Sequence, residues 1–139
     1  MNIKQIILEE IEKVIINEPM YFNNGRFKKE GLNVIYKDDE PVAEFYVMDI
    51  GNYQFGDNEF QKAIVIDDTT LEIDNTKIKP EEVFKFIFTK LPKIKHVITQ
   101  CYMKECSKLK KIGGDVVYEI ESGNGAKILV IDFKREKFV

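Results

Sequence analysis

Tryptophan is absent from the 139 residues, and the chain holds only two cysteines, four prolines and eight glycines. Two cysteines exclude a disulfide-rich scaffold. With His96, the cysteines Cys101 and Cys106 invite a metal or thiol-nucleophile site. No fourth ligand and no CxxC pair complete a metal set, and His96 belongs to a different element from the thiols. Both cysteines therefore read as free, packed or surface thiols, in keeping with a reducing compartment. Arginine is confined to Arg26 and Arg135, and the formal charge is −3, which argues against nucleic acid as a partner because phosphate contacts supply most of that affinity. Long apolar runs are missing as well. Stretches such as 128–131 are strand-sized, far short of the roughly 20 residues of a membrane span. Glu9, Glu10 and Glu12 interrupt the first apolar pattern, so it is no secretory signal. The expected location is the cytoplasm.

What is present fits one globular domain over 1–139: 44% hydrophobic and 32% charged residues. Ile3, Ile6, Ile7, Ile11, Val14 and Ile15 recur at helical spacing, with Asn2 as cap and Pro19 as stop, predicting a helix over 2–18. Residues 21–31 read as loop. Strands are expected at 32–37, 42–48 and 60–66, with a turn at 38–41 and a loop at 51–58 that exposes Tyr53 and Phe55. Residues 69–73 read as an added strand or extended loop. Pro80, Glu81 and Glu82 start a helix that carries Val83, Phe84, Ile87 and Phe88. A strand at 94–99 follows, then a helix over 102–112 with Tyr102, Cys106 and Leu109 on one side and Gly113 as cap. Strands at 116–120 and 126–133 are joined by the hairpin signal Ser122-Gly123-Asn124-Gly125.

The order α-β-β-β-α-β-α-β-β predicts an α+β domain, a mixed and mostly antiparallel sheet with helices on both faces. This order resembles the GCN5-related N-acetyltransferase (GNAT) family. The run 105–113, ending Lys111-Ile112-Gly113 before a hairpin, looks like that family's last helix; the segment is also similar to acetyltransferase-like proteins of tailed bacteriophages, some of them virion proteins.

The resemblance implies an acetyl-CoA site with a Gly-rich loop whose backbone N–H groups hold the pyrophosphate at a helix N-terminus. The corresponding stretch, 67–82, has no glycine; Pro80 lacks a donor, and Glu81 and Glu82 oppose the phosphates. Leu109 stands where the resemblance implies a proton-donating Tyr, Tyr102 where it implies Asn, and Gly114 where it implies an aromatic. The leading expectation is thus a GNAT-like fold with an eroded site and no cofactor. Its role would be that of a protein-binding or assembly module, in a phage virion or as a phage accessory protein. The expected contact is through Tyr53 and Phe55 or through a sheet edge; the two aromatics can equally fold back over the core. An inhibitor of a host protein is a further alternative on the same logic.

The alternative is an active N-acetyltransferase using acetyl-CoA. Ile66 and Thr99 then mark the splayed strands, with Lys79 and Lys104 as cofactor contacts and Tyr102 or Cys101 at the chemistry. Glu44 and Asp49 are candidate bases on the second strand. The lysine-rich region 90–111 can hold a nucleotide phosphate or an acidic partner; a solvated face explains it equally.

Overall fold

The computed structural model describes residues 20–139; the helix expected over 2–18 lies outside them. Strands β1 (Met20–Phe22), β2 (Gly31–Lys37), β3 (Glu40–Phe55) and β4 (Asn58–Ile73) come first. Helix α1 (Pro80–Lys90), strand β5 (His96–Tyr102) and helix α2 (Ser107–Ile112) follow, then β6 (Asp115–Glu121) and β7 (Lys127–Lys134). The seven described strands form one sheet, ordered β1-β2-β3-β4-β5-β7-β6. Every pairing is antiparallel except β4 with β5, because α1 is the one described helix that crosses between neighbouring strands.

The β2–β3 turn is a two-residue hairpin in which Asp38 and Asp39 both take left-handed φ values, 52° and 64°, a conformation that Asp tolerates. The next hairpin corrects the expected loop at 51–58. Tyr53 pairs with Phe60 and Phe55 with Asn58, so β3 and β4 run on to a tight turn at Gly56 and Asp57. Asn52 and Lys62 mark a bulge: Lys62 has φ 54° and its N–H donates to Asn52 Oδ1 at 3.1 Å. The Gly and Asn residues that read as loop are bulge and turn residues of a long ribbon. Tyr53 and Phe55 accordingly fold back over the sheet and are half-buried. They stack on each other at 6.4 Å, and Phe55 meets Phe60 and Tyr118. Together they cover a small cluster of Phe60, Ala63, Ile98 and Val130 on one sheet face.

The main core lies on the opposite face, where Ile35, Phe45, Val47, Ile64, Ile131 and Phe133 meet α1 and Leu109 of α2. α2 is shorter than the expected helix. Tyr102 still pairs with Ile128 as the last residue of β5, and Met103–Glu105 form a 3-10 turn. Tyr102 is therefore 53% exposed and not part of a helical stripe with Cys106 and Leu109. Gly113, at φ 116°, ends α2 with its N–H donating to the Lys110 carbonyl at 3.1 Å. Packing requires glycine at 114, because a Cβ there would run into Ile131 and come within 2.9 Å of the Leu109 carbonyl and 3.1 Å of Phe133. Gly114→Ala should cost about 1–3 kcal/mol in urea unfolding; a neutral result would mean that α2 shifts freely on the sheet.

Candidate functional site

β4 and β5 are hydrogen-bonded in parallel only over 63–65 and 96–98. Beyond Val65 and Ile98 they part, and the gap is a cleft of ≈ 550 Å³. Ile66, Asp67 and Thr69 form one wall; Gln100, Cys101 and Tyr102 form the other. The buried Thr99 hydroxyl donates to the Ile66 carbonyl at 3.0 Å across the point of divergence. On β4 the ladder to β3 breaks between Asp67 and Glu72. Thr70 Oγ1 fills in, accepting the Tyr46 N–H at 3.0 Å and donating to the Asp67 carbonyl at 2.9 Å. Asp67 itself accepts from the Thr69 N–H and hydroxyl at 3.0 and 2.8 Å. These bonds hold the acidic wall in shape.

Farther along β4 a second cavity of ≈ 560 Å³ is lined by Leu71, Glu72, Ile73, Asn75 and Pro80 and, from α2, by Lys108 and Lys111, which outnumber the one carboxylate. It lies between the end of β4, the start of α1 and one side of α2. The connecting loop keeps its own donors. Asp74 accepts from the Thr76 N–H at 3.0 Å and from its hydroxyl at 2.5 Å, and the Asp74 carbonyl accepts the N–H groups of Lys77 and Ile78 at 3.0 and 3.1 Å. The Thr76 hydroxyl and amide, with Lys77 beside them, hold Asp74 below the usual carboxylate range. Lys77 is paired with Glu40 at 3.2 Å.

The residues singled out from the sequence divide as follows. Ile66, Cys101 and Tyr102 come together on the cleft, with Thr99 behind them. Lys79 is the exposed residue preceding α1, and Lys104 is exposed in the turn after β5; neither lines the two cavities. The cysteines are not free. Cys101 and Cys106 form a disulfide, because the 3-10 turn brings the end of β5 and the start of α2 within a Cα separation of 5.8 Å. In this state Cys101 has no thiol to act as a nucleophile.

Burial, with the hydrogen bond that its hydroxyl donates to Asp49, pushes Tyr53 up to about 12, and Asp49 is not among the cleft residues. Glu44 lines a separate, smaller depression with Val34 and Glu72. His96 is satisfied elsewhere: its Nδ1 lies 3.0 Å from both oxygens of Asp132. Sequence reading had taken Lys108 and Lys111 only as members of a basic region. Their three-residue helical spacing beside Leu109 and Ile112 was the signal that they share a face with the apolar side of α2.

A parallel pair that splays beyond its first rungs, flanked by antiparallel strands and entered through α1, is a distinctive arrangement. The spermidine/spermine N-acetyltransferase SpeG of Vibrio cholerae superposes on it with a TM-score of 0.50, at 10% identity, over 96% of this chain and 78% of that one. The fold is that of the GNAT acetyltransferases. Campylobacter jejuni N-acetyltransferase PseH in complex with acetyl coenzyme A is also similar, at TM-score 0.46 and 11% identity over 94% of this chain and 79% of PseH. So is the N-terminal domain of a ribosomal-protein-alanine acetyltransferase from Clostridium acetobutylicum, at TM-score 0.42 and 10% identity over 86% of this chain and 92% of that one. No family model matches the sequence, and no curated protein does. At these identities the likeness is one of GNAT fold, and no phage protein is among the matches described. No described helix is long and apolar enough to cross a membrane.

Proposed function

We propose that the chain is an N-acyltransferase that takes its acyl group from a coenzyme A thioester. The observation that carries this reading is the succession of two cavities along β4, the first beside 65–69 and the second beside 71–73. An extended thioester arm fits the first, between Ile66 and Cys101, and the phosphates fit the second, against Lys108 and Lys111. Side-chain ammonium groups then replace the loop amides that Asp74 has engaged. The bound thioester would supply an activated acyl carbonyl. For its part the chain contributes position and charge: Asp67 and Asp68 on the cleft wall attract a cationic amine, and Tyr102, which lines the same cleft, is the candidate proton donor.

Isothermal titration with acetyl-CoA tests this, at protein concentrations that detect a Kd of about 100 μM, or roughly −5.5 kcal/mol. Saturable binding is expected. Lys108→Ala with Lys111→Ala should weaken it about tenfold, or roughly 1.4 kcal/mol. Gln100→Trp, an exposed position that fills the cleft, should abolish it without lowering the thermal midpoint. No saturable heat from the unaltered chain would remove the acyltransferase reading.

A second reading is favoured by the loop itself, where three consecutive N–H groups, those of Thr76, Lys77 and Ile78, bond to Asp74. It holds that the phosphate cradle has been lost and that the fold serves as a protein-binding or assembly module, the phage role included. Of the two expected contact surfaces, the sheet edge β6, with Val116 and Tyr118 exposed, is then the better placed.

A further inference from the structure

The Cys101–Cys106 disulfide sits where the cleft is least supported. On its β7 side β5 is fully laddered, down to Tyr102 with Ile128. On its other side the backbone ladder to β4 stops at Ile98; the Thr99 hydroxyl still reaches the Ile66 carbonyl, and beyond it residues 100–102 line the cleft without a paired strand on that side. The rim that follows has little to hold it. Tyr102 and Met103 are 53% and 46% exposed, Lys104 is exposed, and the turn has no side-chain cap. Both cysteines, in contrast, are buried. The covalent bond closes a ring around this exposed rim and ties the start of α2 to the end of β5. Cys101 also lines the cleft, and because both sulfurs belong to buried residues a small thiol reaches the disulfide from the cleft when the rim opens locally.

We propose that Cys101–Cys106 is a redox latch on the cleft. Formed, it holds the rim 102–105 in place and keeps the β5 wall in the open shape that a ligand needs. A dithiol opens it by two successive exchanges. Two electrons and two protons pass to the sulfurs of Cys101 and Cys106, the S–S bond breaks, and the dithiol becomes its own cyclic disulfide. The reduced Cys106 then has only a weak S–H donation to the Tyr102 carbonyl, 3.1 Å from its sulfur, to replace the covalent tie. The rim becomes a locally opening unit, and a ligand must order it on binding. As a control on ligand binding this rests on the acyl-thioester reading; as a control on the rim it does not.

The test compares the full chain equilibrated with oxidised glutathione against the same chain in excess dithiothreitol, each checked by thiol titration. Amide hydrogen exchange is followed by mass spectrometry. On reduction, exchange in peptides spanning 101–112 should quicken by about tenfold while β3 peptides stay unchanged. The double variant Cys101→Ser, Cys106→Ser should exchange like the reduced chain in both buffers. Equal exchange in the two verified states would overturn the latch, as would two thiols that still titrate after oxidation. Acetyl-CoA titrated into each state should bind about threefold or more weakly after reduction. If it binds in neither state the acyltransferase reading fails, and hydrogen exchange still decides the latch.

Discussion

Replacing His96 with alanine should destabilise the fold by about 3 kcal/mol at neutral pH, and the deficit should fade as the pH drops. Asp132 is fully buried on β7, and His96 Nδ1, 3.0 Å from both carboxylate oxygens, is the partner that compensates it. Burial already pushes the Asp132 carboxyl up, opposed by the charge and hydrogen bond of His96. Without the imidazole the folded-state value rises further, while the unfolded chain keeps a value of about 3.9. Below that value both states hold the proton and the substitution costs little through this carboxyl. As the pH rises above it, the unfolded state releases a proton that the folded state retains, so stability falls until the folded carboxyl also ionises. Asp132→Asn keeps an oxygen acceptor for the Nδ1–H and should cost only about 1 kcal/mol. Urea unfolding of both variants across the acid range checks this. A His96→Ala deficit that is constant with pH would show that lost packing against Phe60, which the ring meets edge-on at 5.2 Å, dominates instead.

Phe133→Ala should be the more damaging change, at about 3–5 kcal/mol. The ring is fully buried and stacks on Phe84 of α1, with centroids 4.1 Å apart and planes 14° apart. Phe138 packs against both rings, and Gly114 approaches Phe133 from the α2 side. One side chain thus joins α1, the C-terminal turn and the α2 cap to the sheet. The neighbours that would have to collapse into the space are themselves fixed by these contacts, so the void should persist. Against a total stability of about 5–15 kcal/mol for a domain, such a loss brings the chain close to unfolding at 37 °C. The urea midpoint should fall with the slope unchanged. A loss under about 1.5 kcal/mol would mean that α1 settles onto the sheet.

The stripe Val83, Phe84, Ile87 and Phe88 was legible because helical periodicity is a local property, and each of these residues is buried in α1. The final hairpin was legible for the same reason, its turn residues standing between two strand-forming runs, the second of them buried along most of its length. The long ribbon of β3 and β4 was not. Gly51, Asn52 and Gly56 carry loop chemistry locally, and only the covering of Ile98 and Val130 by Tyr53 and Phe55 makes strand the better state there. The late start of α2 had no local signal either, since Tyr102 continues β5 through hydrogen bonds to β7.

In the candidate site, Ile66, Thr99, Cys101 and Tyr102 could be named only because the family resemblance implies a splayed pair of strands on either side of the crossover helix. Their chemistry could not. Whether Cys101 is a thiol or half of a disulfide depends on a separation set by a turn, and whether Lys108 and Lys111 face a cavity depends on how α2 lies against α1. The sequence by itself determined the class of fold and the apolar faces, since both follow from periodicity and turn residues within a few positions. Tertiary structure decided the cleft, the cysteine pair and the fate of the loop amides. Those depend on distances between elements, and distances are set by packing.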